Sequence, residues 1–143
     1  MDSIIELART LGPYAICGEG NVSVKDDDCF WVKASGTSLD TLEKKDLVAC
    51  KMSGVPFDSL GLKPSIETSF HAWLQREFDA IKFVAHTHPP KTMQVVCSEQ
   101  IHSFAEHRLF PDQVVRNGAK SCVVPYAMPG KPLLEEIKKS VLA

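Results

Sequence analysis

Between Pro64 and Pro90 the apolar residues of this chain change their period, and that change limits what the chain can build. Ile66, Phe70, Trp73, Leu74 and Phe78 recur at the three-to-four spacing of an amphipathic helix, with Pro64-Ser65 as a stop and N-cap in front. Lys82 to His88 then reads as a strand, ended abruptly by Pro89-Pro90. His86 and His88 are one residue apart, so on an extended strand both imidazoles point to one face and can reach one ion. Glu67, in the helix's expected first turn, can be carried over the strand's tip beside them. These residue types at this spacing predict a metal site. A plainer reading has two hydrogen-bonded histidines and a first-turn glutamate favoured by the helix dipole. The Pro-Pro stop favours the metal, because it leaves both histidines at an open edge. His71, one turn beyond Glu67, is expected to be a buried structural partner and not a ligand.

The rest of the chain supplies sheet and cover. Met1 to Leu11 reads as a helix with Ile4, Ile5, Leu7, Ala8 and Leu11 on one side and Gly12-Pro13 as its stop. Val22 to Lys25 and Cys29 to Ala34 read as strands joined by an Asp26-Asp27-Asp28 turn, whose spacing is not that of an EF-hand calcium loop. A short helical turn is expected over Leu39 to Lys45, a third strand over Leu47 to Met52, and a loop from Ser53 to Lys63. Downstream, a helix is expected from Lys91 to Cys97, His102 to His107 is ambiguous, Ala119 to Val124 reads as a strand and Leu133 to Val141 as a last helix. Strands that pair as hairpins and then alternate with helices predict a layered α/β domain with a mixed sheet.

Composition narrows the functional classes. A chain of 143 residues is one domain's worth, here taken as a single domain over residues 1–143. A net charge of −2 leaves no basic excess for phosphate backbones, so no nucleic-acid partner is expected. No apolar run approaches the ~20 residues of a membrane span, and Met1-Asp2-Ser3 opens no signal segment, so the expectation is a cytoplasmic protein with no membrane partner. The five cysteines form no C-x-x-C pair, which argues against disulfides and against a thiolate zinc site.

Five motifs then line up: Gly20-Asn21-Val22-Ser23, Ser35-Gly36, Pro64-Ser65-x-Glu67-x-x-x-His71, His86-Thr87-His88 and Pro125-Tyr126-Ala127-x-Pro129-Gly130. In this order the chain resembles the class II aldolase/adducin family, which includes fuculose-phosphate and rhamnulose-phosphate aldolases and ribulose-phosphate 4-epimerase. Its wording is closest to the aldolase domain of long, dehydrogenase-fused rhamnulose-phosphate aldolases. The resemblance implies a layered α/β/α domain around a central mixed, largely antiparallel sheet, short at its C-terminus. It implies Zn²⁺, or another divalent metal, on His86 and His88, with Glu67 as catalytic acid/base also able to reach the metal. Gly20, Asn21, Ser35, Gly36 and Ser65 would contribute to the phosphate and substrate pocket. Ile66 stands where the family often has a second serine. The family's third histidine ligand lies beyond the helix after Tyr126, and neither His102 nor His107 stands in its place. The implied function is a zinc-dependent lyase that cleaves a phosphorylated ketose to dihydroxyacetone phosphate and an aldehyde, in a homo-oligomer with the tetramer favoured. A family epimerase or dehydratase, or an adducin-head-like interaction domain without catalysis, stands as the alternative.

Overall fold

The computed structural model describes residues 1–57 and 61–143. Residues 58–60, within the loop expected before Lys63, lie outside that range. Four strands, β1 (Asn21–Asp26), β2 (Cys29–Lys33), β3 (Leu47–Lys51) and β4 (Phe83–His86), form a sheet in the order β3-β2-β1-β4. Every pairing in it is antiparallel, so the mixed sheet expected from sequence is antiparallel throughout the described strands.

Helices cover both faces. α1 (Asp2–Leu11) lays Ile4, Ile5 and Ala8 on Val22, Val24, Leu39, Leu42 and Leu47. α2 (Thr68–Glu77) brings Ala72 to the opposite face, against Phe30, Val32, Ala34, Val48 and Cys50. Alternation along β1 divides its side chains between the layers: Val22 and Val24 go to α1, and Asn21, Ser23 and Lys25 go to α2. The α/β/α layering is therefore present, with an apolar core on one face and a partly polar one on the other.

The second half of the chain is helical: α3 (Pro90–Val96), α4 (Ile101–Glu106), α5 (Pro111–Asn117) and α6 (Lys131–Leu142). α4 resolves the ambiguous segment. α5 was not anticipated, although it carries Pro at its first position and Gly118, at φ +74°, just past its end. The strand expected over Ala119 to Val124 does not form. The Ser121 N–H donates to the Ala105 carbonyl at 2.8 Å, and the Cys122 thiol approaches the Ser140 carbonyl at 3.1 Å. The segment thus bonds to α4 and α6 and adds no strand to the sheet. The turn expected over Leu39 to Lys45 shrinks to a single 3₁₀ turn at Lys44–Asp46. No described helix is long and apolar enough to cross a membrane.

Candidate active site

Three inward positions of β1 meet residues spaced by four along α2 and its entry, from Glu67 just before the helix to Gln75. Asn21 Nδ2 donates to Glu67 Oε2 at 2.6 Å, Ser23 Oγ lies 2.7 Å from His71 Nδ1, and Lys25 Nζ donates to the Gln75 carbonyl at 3.0 Å. Two residues of strand advance about 6.7 Å and four of helix about 6 Å, so a strand stepping by two stays beside a helix stepping by four. Gln75 closes the seam by donating to the Lys82 carbonyl at 3.0 Å.

Glu67 ends this seam at the end of β4 that carries His86. The helix begins at Thr68, so Glu67 immediately precedes the first turn in which it was expected. Ser65 shapes the entry: its carbonyl accepts both the N–H and the hydroxyl of Thr68, and its own hydroxyl accepts the Glu67 N–H at 3.3 Å. Glu67, at φ −93° and ψ 4°, directs its carboxylate at the sheet. There β1 and β4 pair Asn21 with His86, which puts both side chains on one face. Both meet the same oxygen, Glu67 Oε2, each at 2.6 Å. Burial pushes the Glu67 carboxyl up, but the hydrogen bond and charge of His86 and the hydrogen bond from Asn21 outweigh it, and the net displacement is downward. Glu67 is a buried carboxylate held ionised.

His88 lies just past β4, with its N–H bonded to the Tyr14 carbonyl at 2.9 Å. Its Nε2 faces His86 Nε2 at 3.0 Å, and its Nδ1 lies 2.6 Å from Glu19 Oε2. A carboxylate has no proton to give, so each Nδ1 must be the donor to its own glutamate. In their neutral forms the two rings would each turn an unprotonated Nε2 toward the other. Two lone pairs 3.0 Å apart repel unless a proton or a cation lies between them. Two imidazole nitrogens on one tetrahedral Zn²⁺ would stand about 3.3 Å apart. The pair fits a divalent metal, and the carboxylate behind each ring is the usual outer support of such a ligand. Among the described residues no three His, Cys, Asp or Glu side chains converge as one ligand set, so this chain offers the pair. Glu67 stands on the Nδ1 side of His86, away from the ring edge that faces His88.

Gly20 adjoins this cluster. Its φ is +91°, and a Cβ there would lie 2.7 Å from the His86 carbonyl. Ser35 and Gly36 arrive by backbone pairing: Ala34 bridges Pro64, and the Ser35 N–H donates to the Lys63 carbonyl. Gly36, at φ +80°, leaves open space where a Cβ would stand, as close approach of a ligand needs. No side-chain hydrogen bond joins Ser35 to Glu67 or to the histidines. A Cβ added at Gly130 of the last motif would stand 3.8 Å from Ile66, the neighbour of Glu67.

Sequence reasoning missed three participants. Glu19 is flanked by Gly18 and Gly20, and that glycine-hinged setting was the one signal for it. Ser23 is signalled by its two-residue step from Asn21. Lys33 is only 4% exposed and donates to the carbonyls of Ala34 and Thr37, bracing the Ser35-Gly36 turn. Burial lowers its pKa from the ordinary lysine value. His71 is buried, as expected.

Comparison with known proteins agrees with this fold. A 3-oxo-tetronate 4-phosphate decarboxylase from Haemophilus influenzae is 30% identical over 86% of this chain and 58% of its own length. An L-fuculose phosphate aldolase from Methanococcus maripaludis is 31% identical over 62% of this chain and 48% of its own. Shorter stretches match a methylthioribulose-1-phosphate dehydratase from Leptospira interrogans and a protein named probable L-ribulose-5-phosphate 4-epimerase from Mycoplasma pneumoniae. The crystal structure of YgbL from Escherichia coli superposes with a TM-score of 0.81 at 26% identity, over 96% of this chain and 68% of YgbL. The chain thus spans little more than half the length of the two decarboxylases it matches, and less of the other curated relatives named. The sequence model of the Class II Aldolase and Adducin N-terminal domain matches residues 4–142, and the chain belongs to the class II aldolase/adducin family.

Proposed function

We propose that this domain carries the proton-transfer and metal-holding part of a zinc-dependent aldolase-type lyase acting on a phosphorylated ketose. The observation that carries the reading is Glu67 Oε2, 2.6 Å from His86 Nδ1, in a cluster whose two Nε2 atoms face each other at 3.0 Å. His86 and His88 would hold the cation. When bound there, it supplies Lewis-acid polarisation of adjacent substrate oxygens and stabilises the charge left as a carbon–carbon bond breaks. Glu67, ionised and buried, moves the proton: it takes one from the substrate carbon in the condensation direction and returns it after cleavage. Asn21 orients that carboxylate through Oε2. Gly20, Gly36 and the Ser35 and Ser65 hydroxyls form the ground on which the phosphate is received. The reduced cysteines and the sugar-phosphate names of the relatives support a cytoplasmic metabolic enzyme.

A second reading, decarboxylation of a phosphorylated 3-oxo acid, is favoured by the length of the match to the Haemophilus decarboxylase. Both reactions leave electrons on a carbon next to a carbonyl, and both need that carbon protonated. The test is exchange of the carbon-bound proton of dihydroxyacetone phosphate with solvent, followed by NMR in ²H₂O on zinc-loaded protein. Exchange by the wild type and its loss in Glu67→Gln is the expected result. Zinc-loaded wild type with no exchange refutes the aldolase reading. CO₂ release from a 3-oxo acid phosphate by such a protein selects the second.

A further inference from the structure

The geometry points to Glu19 as a positioning residue of the metal centre, fixing which nitrogen of His88 is offered to the ion. This rests on the reading of His86 and His88 as a metal pair and adds a residue to it. Glu19 Oε2 lies 2.6 Å from His88 Nδ1, as Glu67 Oε2 lies 2.6 Å from His86 Nδ1. The four side chains therefore form one line, Glu19–His88–His86–Glu67, with a carboxylate at each end and the two Nε2 atoms in the middle. Without Glu19 the proton of neutral His88 is free to sit on either nitrogen, and on Nε2 it blocks the lone pair a metal needs.

The backbone shows that Glu19 is held there by construction. Cys17, Gly18 and Gly20 have φ of +53°, +77° and +91°, a sequence of left-handed residues that folds the loop sharply around Glu19. The Glu19 N–H bonds to the Ile16 carbonyl at 2.9 Å, and the His88 N–H bonds to the Tyr14 carbonyl at 2.9 Å. Both partners are thus tied to the same short segment, residues 14–16. Gly20 packs so closely on the His86 carbonyl that an added Cβ would stand 2.7 Å from it. A loop pinned to both histidines presents one carboxylate, and it meets the ring nitrogen facing away from the shared site.

The test uses the full chain, Zn²⁺ as the probe and two readouts. Zinc affinity is measured by competition with a chromogenic chelator for the wild type, Glu19→Gln and Glu19→Ala. The His88 tautomer is read in the metal-free proteins by long-range ¹⁵N–¹H NMR. Glu19→Ala is expected to weaken zinc binding about 10- to 100-fold, the loss typical of a missing outer-shell partner, with Glu19→Gln between it and the wild type. In parallel, the His88 proton should move from Nδ1 toward Nε2. Wild-type affinity in Glu19→Ala with the tautomer unmoved overturns the role of Glu19 while leaving the metal pair intact. A wild type that takes up no Zn²⁺, and is indifferent to His86→Ala and His88→Ala, overturns the metal pair and this inference together.

Discussion

His71 is a titratable side chain removed from water. It is fully buried, its Nδ1 is matched to Ser23 Oγ, and its Nε2 has no partner among the described residues. Burial drives its pKa from 6.5 down to about 3, against the attraction of Glu67 and with the repulsion of His86. The folded chain therefore keeps His71 neutral where the unfolded chain would protonate it. Because the unfolded state binds the extra proton, this contribution to stability is complete above pH 6.5 and declines as pH falls toward 3. The loss is on the order of 5 kcal/mol over that window. Glu67, whose pKa is lowered, acts with the same sign, since its advantage is also lost on acidification. Urea unfolding followed from pH 7 to pH 4 should show falling stability, and His71→Gln should flatten the slope. An unchanged slope in the variant would exclude His71 as its source.

At the scale of elements, the contact of β1 with α2 is held by polar pairs where an apolar ridge would be usual. Ser23 and His71 have each other as the recorded partner of a buried polar atom. Removing either leaves a buried group unsatisfied, at about 1–3 kcal/mol, whereas removing both leaves only lost packing. A double-mutant cycle of Ser23→Ala with His71→Leu should therefore show a coupling of about 1–2 kcal/mol. Additive losses would mean that the seam does not set the register. On the α1 side of the same sheet, by contrast, losses should follow buried volume, with Ile4→Ala costing about 2–5 kcal/mol.

At the scale of the molecule, the two halves differ in cover. The sheet and its two flanking helices hold the buried apolar clusters, while Leu109, Val115 and Tyr126 in the second half are 86%, 84% and 90% exposed. β3 and β4 are the outer strands of the sheet, and outer strands with apolar neighbours invite a partner surface. We expect a homo-oligomer, with the tetramer favoured as closed symmetry allows. Light scattering at tens of micromolar should give a mass that is a multiple of 15.8 kDa. A clean monomer at that concentration would count against assembly and would leave the apolar second half unexplained.

The features legible in the sequence were those set by neighbours along the chain. The Val22–Lys25 and Cys29–Ala34 hairpin, the helix after Pro64-Ser65 and the shared face of His86 and His88 all follow from side-chain period, which is local stereochemistry. The motifs in their order were enough for the family. Tertiary structure alone decided the rest. Ala119 to Val124 has strand-like composition, but composition does not say whether an edge is within reach, and its hydrogen bonds went to α4 and α6. Glu67 was legible as an acid beside a histidine pair, yet which nitrogen of His86 it meets depends on the register of Asn21 against His86. Glu19 and His88 are 69 residues apart, and no periodicity spans that distance. They meet because three left-handed residues turn one loop onto the end of β4, a closeness that chain chemistry permits and only the packed sheet enforces.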